Sequence, residues 1–156
     1  MPSSKPNRTP VIDNRRARRD YHVLDKMEAG LVLTGTEVKS VRLSHVTLTG
    51  GYIHVDNGEA WLHDVHIQPY EYGNTFNHPT VRKRKLLLHK REIEQLHAAE
   101  SRKGRTLIPL KMYFKRGRAK LEIGICKGKQ SHDKRDDIKK RDSDREAQRA
   151  MRDRNR

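Results

Sequence analysis

The sequence predicts a mainly β protein, in which a closed or nearly closed antiparallel barrel with two or three short helices precedes a basic tail. About six short apolar runs, separated by turn signals such as Asn57-Gly58, predict the barrel. Closure is expected because it leaves no exposed strand edges. The tail is predicted because only four apolar residues occur from Asp133 to Arg156, namely Ile138, Ala147, Ala150 and Met151.

Composition points to a polyanionic partner. The chain has 156 residues, a size that suits one domain, and 35 Lys and Arg against 20 Asp and Glu give a net charge of +15. Such a charge favours nucleic acid, whose phosphates hold condensed counterions. We expect no membrane partner, because no apolar run is long enough to span a bilayer and no amphipathic basic segment is evident. The single cysteine, Cys126, excludes an internal disulfide and fits a reducing cytoplasm.

Three regions are expected. Residues 1–13 contain three of the six prolines and no apolar core of a secretory signal, so they predict a flexible N-terminal arm. Residues 14–130 should form the barrel, and residues 131–156 the basic tail.

The first half of the barrel combines strands and one helix. Tyr21 to Leu33 is typical of a strand, interrupted at Ala29-Gly30. Thr36 can cap a short helix that places Val38 and Val41 on one face. A hairpin should follow, with strands at 52–55 and 60–65, because Asn57-Gly58 tolerates the positive φ of a type I′ turn.

The second half begins with a loop over residues 68–81, marked by proline, glycine and asparagine. An apolar strand is predicted at Lys85 to His89, then a helix from about Lys90 to Arg102 that ends at Gly104. Two further strands, 106–114 and 119–127, should flank the turn at 115–118. In the last strand Leu121, Ile123 and Ile125 alternate with less apolar residues, which predicts one buried face.

The tail carries 12 basic and seven acidic side chains over residues 127–156. It has too few apolar residues to offset the entropy of ordering, so we expect disorder in the free protein. The acid-before-base pairs Asp136/Lys140 and Asp137/Arg141 favour a helix, whereas Arg141, Arg145 and Arg149 repel one another at the same spacing. We therefore expect the tail to become helical on a polyanionic surface, with Ile138 and Met151 as its apolar contacts.

Catalytic chemistry is not indicated. His63 and His66 fall on a predicted strand, where residues three apart point to opposite faces, so they should not bind one metal ion together. Cys126 has no partner base at a characteristic spacing and is expected to be a small apolar residue. No phosphate loop or zinc-protease motif occurs. We expect a protein that is not an enzyme and needs no cofactor or metal.

Two basic runs suggest a phosphate-binding face. One contains Arg15, Arg16, Arg18 and Arg19, and the other runs from Arg82 to Lys85; each directly precedes a predicted strand. A charged run is more often solvated surface, and that alternative stays open. Four aromatic residues near these runs could stack on unpaired bases, although Tyr21 could equally belong to the core: Tyr21, Tyr70, Tyr72 and Phe76.

Four sequence blocks occur together in the order NRRARRDYHVLDKMEAGLVLTGTEVKSVR, RKRKLLLHKREI, LIPLKMYFKRGRAKLEIGICKGK and HDKRDDIKKRDSDRE. From Asn14 to Arg156 the chain resembles the SmpB family of SsrA-binding proteins. The resemblance implies an OB-fold-like barrel that binds the transfer-RNA-like domain of transfer-messenger RNA (tmRNA). It also implies a tail that enters the ribosomal decoding centre and empty message channel, in the ribosome rescue called trans-translation.

The resemblance also implies site residues. Asn14, Glu28 and Leu87 match RNA-binding positions of the family, and Glu37 and Lys39 lie near them in sequence. Each of the first three has a structural alternative. Asn14 could be a turn residue, Glu28 could pair with Arg15 or Arg16, and Leu87 would by default be a core residue of a strand.

The complete RNA-binding prediction also takes in the neighbouring cations, and it consists of Asn14, Arg15, Arg16, Arg18, Glu28, Glu37, Lys39, Arg82, Lys83, Arg84, Lys85, Leu87, Lys127 and Lys129. The predicted ribosome contacts are His132, which should stack on a decoding-centre base, with Asp133, Lys134, Arg135, Ile138, Lys139, Lys140, Arg141, Arg145 and Met151. We expect a monomer that binds RNA one to one. The alternative function is a ribosomal or general RNA-chaperone barrel.

Overall fold

The computed structural model describes residues 9–73, 77–129 and 131–154; within the last range the side chains of 131–134 and 136–137 are not described. Four helices lie in these ranges: α1 (Arg15–Asp20), α2 (Gly35–Arg42), α3 (Lys90–Glu100) and α4 (Ser131–Arg154). The strands are β1 (Ile12–Asp13), β2 (Tyr21–Leu31), β3 (Val46–Thr47), β4 (Tyr52–Asp56), β5 (Glu59–His63), β6 (His66–Ile67), β7 (Arg84–Leu87), β8 (Arg105–Lys115) and β9 (Arg118–Gly128).

Six strands close a ring. The antiparallel order is β8, β4, β5, β7, β2 and β9, and β9 pairs back with β8. Strand β1 adds to β8, while β3 and β6 form a separate small pair. This ring confirms the predicted mainly β barrel of about six antiparallel strands.

The barrel interior is filled by the inward residues of each strand. Ile53 and Leu62 come from the β4–β5 hairpin, Leu121 and Ile123 come from β9, and all four are buried in one apolar cluster. Leu96 of α3 joins the same cluster. Helix and ring therefore share one core, and the burial of Leu121 and Ile123 agrees with the period-2 pattern of the last strand.

A second, smaller cluster lies under α1. Ala17 packs with Ile108, Leu110 and Cys126, and Tyr21 lies against them. Strand β8 is thus buried on both sides over this stretch, facing the barrel core on one side and α1 on the other. The packing of Tyr21 favours its predicted core alternative.

Both predicted hairpin turns are present. Asn57 and Gly58 have φ values of 50° and 74°, as a type I′ turn requires. Arg116 and Gly117 adopt nearly the same pair of values, 53° and 74°, between β8 and β9.

Three local predictions differ from the structure. Thr34, not Thr36, caps α2, and it does so in a capping box with Glu37. The sequence pattern gave no sign of α1, because its basic residues mask the single buried residue, Ala17. The predicted arm ends too late, since Ile12 of β1 lies in the barrel core; residues 1–8 lie outside the described part of the chain.

The tail is the 24-residue helix α4 in the structure. The expected disorder of the tail in the free protein stays a prediction. The segment lacks proline and glycine, so no residue in it breaks a helix. Its two predicted apolar contacts are exposed, Ile138 at 48% and Met151 at 68%. None of the described helices is long and apolar enough to cross a membrane.

Candidate nucleic-acid interface

Four outward-facing residues form a row across neighbouring strands. Leu87 of β7 is in register with Gly30 of β2, Gly30 with Lys120 of β9, and Lys120 with Tyr113 of β8. Residues in register share one face of a sheet. We call this row, together with Glu28 and the basic β8–β9 turn beside it, the outer platform.

Leu87 is the exposed apolar residue at one end of the row. It is 56% exposed, whereas its neighbour Leu86 is 2% exposed and lies in the core. The default expectation of a core leucine is therefore wrong at position 87. A Cβ atom at Gly30 would lie 3.1 Å from the Cβ of Leu87, so a side chain there would crowd the leucine. Leu87 lines a shallow hollow that also includes Val38 and Phe114.

Glu28 lies at the edge of this row and is held by two residues of β8. The Tyr113 hydroxyl donates to Glu28 Oε2, and Lys115 Nζ is 3.7 Å from Oε1. The hydrogen bond from Tyr113, aided by the charges of Lys115 and Lys120, lowers the pKa of Glu28 despite the opposing effect of burial. The structure places Lys115, not Arg15 or Arg16, beside this carboxylate.

A basic hollow adjoins Glu28, and the sequence predicts only a turn for residues 115–118, which supply three of its four cations. Its lining consists of Glu28, Lys115, Arg116, Arg118 and Lys120. The signal was present in KRGRAK, because a tight turn brings the cations of two strands to one place. Alternation along β8 and β9 then directs Tyr113 and Lys120 to the same outer face.

Asn14 is buried at 3% exposure, and both polar atoms of its side chain have hydrogen-bond partners within the protein. Its Nδ2 donates to the Pro109 carbonyl at 2.9 Å, and its Oδ1 accepts from the Ala17 backbone N–H at 3.2 Å. It therefore caps α1 and fixes this helix to β8. This geometry favours the structural alternative for Asn14, whose influence on RNA would act through α1.

Helix α1 presents its basic residues outward. Arg15, Arg16, Arg18 and Arg19 are exposed around the buried Ala17. Lys129 Nζ donates to the Arg18 carbonyl at 3.2 Å. Lys140 and Arg141 of α4 line a groove with Lys129 and three of the α1 arginines, Arg15, Arg18 and Arg19. The first predicted basic run thus forms a cationic surface.

The second basic run has a different role, because Arg84 and Glu37 are buried at 0% exposure. Arg84 Nε donates to Glu37 Oε2 at 2.5 Å, and Arg84 Nη1 donates to the Val65 carbonyl at 2.8 Å. Arg82 also donates to the Glu37 carboxylate. Since neither buried side chain reaches the surface, the structure corrects the prediction of direct RNA contact for Arg84 and Glu37.

The pKa of Glu37 reflects this network. Burial raises the pKa, but hydrogen bonds from Arg82, the Thr34 backbone and Arg84 outweigh burial and lower it below its usual value. The carboxylate is therefore ionised and serves as the anchor of the α2–β7 contact.

The remaining cations of this run also have partners within the chain. The Lys83 ammonium lies 4.1 Å from the Trp61 ring centroid, and Lys85 Nζ is 3.1 Å from Glu59 Oε1. Lys39, on the exposed side of α2, lies 5.3 Å from the Tyr70 ring centroid. These contacts weaken the hypothesis that residues 82–85 form a phosphate-binding run.

The predicted ribosome contacts are only partly described. The side chains of His132, Asp133 and Lys134, and the aromatic residue Phe76, lie outside the described part of the chain. The others are exposed on α4, namely Arg135, Ile138, Lys139, Lys140, Arg141, Arg145 and Met151. Lys127, near the end of β9, is exposed as well.

His63 and Cys126 lie in structural surroundings. Among the residues that the structure describes, no group of three His, Cys, Asp or Glu could hold a metal ion. His63 instead stacks on Tyr52, with ring centroids 5.0 Å apart. Burial raises the pKa of the Cys126 thiol to about 11, so the thiolate is scarce at neutral pH.

Comparison with known proteins agrees with the predicted resemblance. Residues 11–153 match the family model described as SmpB protein. A protein of Syntrophomonas wolfei named SsrA-binding protein is 53% identical over 147 residues, 94% of each chain. Another of that name, from Carboxydothermus hydrogenoformans, is 53% identical over 142 residues, 91% of this chain and 95% of the relative.

A solved structure also resembles this chain. A chain of the structure described as "tmRNA-SmpB: a journey to the center of the bacterial ribosome" superposes with a TM-score of 0.68 at 49% identity. The match covers 78% of this chain and 86% of that chain. Fold, sequence blocks and near full-length identity therefore agree, and the chain belongs to the SmpB protein family.

Proposed function

We propose that this protein binds the transfer-RNA-like domain of tmRNA through its barrel and delivers that RNA to stalled ribosomes. Its tail would then probe the decoding centre and the empty message channel, so that the nascent chain is tagged and the ribosome rescued. The observation that carries this proposal is membership of a family whose relatives are named SsrA-binding proteins, across nearly the whole chain.

The outer platform has the chemistry that such an RNA contact needs. Leu87 and the partly exposed Tyr113 offer apolar and aromatic surface. Lys115, Arg116 and Arg118 offer cations for phosphate. Phosphate would be repelled by Glu28, so this carboxylate suits hydrogen bonding to a ribose hydroxyl or a base amino group. The arginines of α1 extend the cationic surface.

The tail fits a separate partner surface. Helix α4 exposes cations along its length, including Arg135, Lys139 and Arg145. In the family pattern His132 would stack on a base of the decoding centre, and Asp133 and Lys134 would lie at the root of the helix. An intact message would occupy the space that the helix needs, so steric and electrostatic competition would select stalled ribosomes.

The activity we propose is binding without chemical turnover. Conversion of RNA is not needed for recognition and delivery, and the described residues offer no metal cluster. We expect the protein to act in the cytoplasm, where ribosomes translate, as a monomer bound one to one with tmRNA.

Competition binding tests the proposal against a general RNA chaperone. The full chain is bound to labelled tmRNA, and unlabelled tmRNA or bulk transfer RNA is titrated at one fixed salt concentration. Preferential displacement by tmRNA, about tenfold or more, is expected. Equal displacement by the two competitors would favour the chaperone barrel.

A further inference from the structure

A cleft separate from the outer platform lies between α1, the loop before β4, and β8. Tyr21 borders it where α1 passes into β2, and Arg16 borders it one turn earlier in α1. Thr49 and Tyr52 line the loop side, and Thr106 lines the β8 side. Its walls therefore combine two phenol rings, two threonine hydroxyls, the Arg16 guanidinium group and the Asp20 carboxylate.

The cleft is built on fixed elements. Beneath it, Asn14 ties α1 to β8 through its hydrogen bond to the Pro109 carbonyl, and Ala17 and Ile108 are buried at its base. The Tyr52 ring lies parallel to His63, with an interplanar angle of 8°, yet Tyr52 remains 39% exposed. The aromatic wall is thus held in place before any ligand arrives, which limits the entropy cost of binding.

These groups suit one nucleotide that is not paired. Aromatic rings stack on any base, and threonine hydroxyls can donate to or accept from base edges and the ribose 2′-hydroxyl. Arg16 is 3.5 Å from Asp20 and 66% exposed at its side chain, which leaves the guanidinium accessible to a phosphate. Arg15 and Arg19 are exposed on the same short helix and can neutralise adjacent phosphates. A base inside a duplex cannot enter, because its faces are covered by its stacked neighbours.

We propose that this cleft binds a single unpaired nucleotide of the bound RNA, extruded from its helix and stacked against a tyrosine. The inference rests on the proposed function and deepens it, because it assigns a nucleotide site on the α1 side of the barrel in addition to the outer platform. It predicts that the protein distinguishes an RNA helix with a bulge from a continuous helix of the same sequence.

Two hairpin RNAs test the proposal, one with a single bulged nucleotide and one identical except that the bulge is removed. The full chain should bind the bulged hairpin about tenfold more tightly at one salt concentration, a typical effect of one base stacked on an aromatic ring. Tyr52→Leu should abolish this preference and leave affinity for the continuous hairpin unchanged. Tyr72→Leu is the matched control, since Tyr72 is 81% exposed and does not line the cleft.

A photocrosslink in the unmodified protein gives a second readout that does not depend on how a variant folds. With 4-thiouridine at the bulge, crosslinks should map to the segment from Thr49 to Tyr52, to Tyr21 or to Thr106. Crosslinks confined to the outer platform, a bulge preference that survives Tyr52→Leu, or no bulge preference in the unmodified protein would each overturn the proposal.

The outcomes separate this inference from the proposed function. Preferential tmRNA binding without bulge preference would leave the function standing and remove the nucleotide site. Bulge preference without any preference for tmRNA over bulk transfer RNA would keep the site and contradict the function.

Discussion

At the scale of single residues, the buried Arg84 stabilises the contact between α2 and β7. Its guanidinium is fully buried and shares Glu37 with Arg82. A charge in such a place is tolerated only when its partner and hydrogen bonds are present, because desolvation of either ion costs several kcal/mol. The pair joins α2 to β7 and so holds the strand that carries Leu87.

Arg84→Met should therefore lower the free energy of unfolding by about 3–5 kcal/mol, because it leaves the Glu37 carboxylate buried with Arg82 alone. Lys85→Met is the matched control. The Lys85 and Glu59 side chains are both more than 40% exposed, so their loss should cost no more than about 1 kcal/mol. Urea denaturation of both variants measures the difference, and similar losses would contradict the structural role of Arg84.

The same network predicts a pH dependence. The pKa of Glu37 is lower in the folded protein than in the unfolded chain, so the folded state favours the ionised carboxylate. This stability is fully present above the unfolded pKa, about 4.3, and is lost as pH falls through the lower folded value. Glu37→Gln should therefore be much less stable than the unmodified protein at pH 7, with a smaller difference at pH 3. Thermal unfolding across this range measures it, and a constant difference would exclude the linkage.

At the scale of elements, the residues of strand β7 alternate between the core and the outer face, and the two sets have different roles. Inward Arg84 and Leu86 support the core, and outward Lys85 and Leu87 face solvent. Because β5 pairs on one side of β7 and β2 on the other, β7 is an interior strand of the sheet and not an edge strand. An apolar side chain there is available to a ligand without weakening the barrel.

Leu87→Ala should lower affinity for the transfer-RNA-like domain about tenfold, or ~1.4 kcal/mol, with little change in unfolding free energy. The adjacent Leu86→Ala provides the contrast, since deleting a buried leucine side chain should destabilise the protein by about 2–5 kcal/mol. Filter binding and urea denaturation on both variants give the two quantities. A loss of stability at position 87 as large as that at position 86 would contradict the assignment of Leu87 to the platform.

Helix α4 is an element of another kind. The side chains described after residue 137 are all exposed, so burial of an apolar face cannot hold it as it holds α3. Like charges at Arg141, Arg145 and Arg149 oppose the helix until an anion neutralises them.

We therefore expect the α4 amides to exchange with deuterium much faster than those of β8 and β9 in the protein without RNA. Adding ribosomes stalled on a truncated message should slow exchange in α4. Hydrogen exchange read by mass spectrometry tests both statements. Protection of α4 equal to that of β9 in the free protein would show that the helix is stabilised by more than its own sequence.

At the scale of the whole molecule, the ring of strands, both hairpin turns and α3 could be predicted because each follows from local periodicity and turn chemistry. The burial or exposure of individual charged side chains could not be predicted in this way. The run from Arg82 to Lys85 is uniform in sequence, yet its four cations have different environments. Arg84 is buried, Arg82 is partly buried against Glu37, and Lys83 and Lys85 lie at the surface. Asn14 is buried although RNA contact was predicted for it, and Leu87 is exposed although a strand leucine is buried by default. The reason is the same at both positions, because burial is decided by packing between elements distant in sequence.

The last prediction follows from the division of the chain into barrel and tail. Strand β9 ends at Gly128, and the apolar core lies entirely before it. Ending the chain after Gly128 removes α4 and Lys129 but leaves the outer platform and α1 in place. We expect the shortened protein to keep nearly all of its affinity for isolated tmRNA and to lose tagging on stalled ribosomes, measured in a reconstituted translation reaction.

Ala147→Pro in the full chain separates helix formation from charge, because proline inside a helix costs about 3 kcal/mol while the cations remain. If recognition of the vacant channel needs the helix, this variant should bind tmRNA normally and tag poorly. Normal tagging would mean that the charges of the tail suffice. Equal loss of tmRNA binding and tagging in the shortened chain would instead show that barrel and tail form one RNA-binding unit.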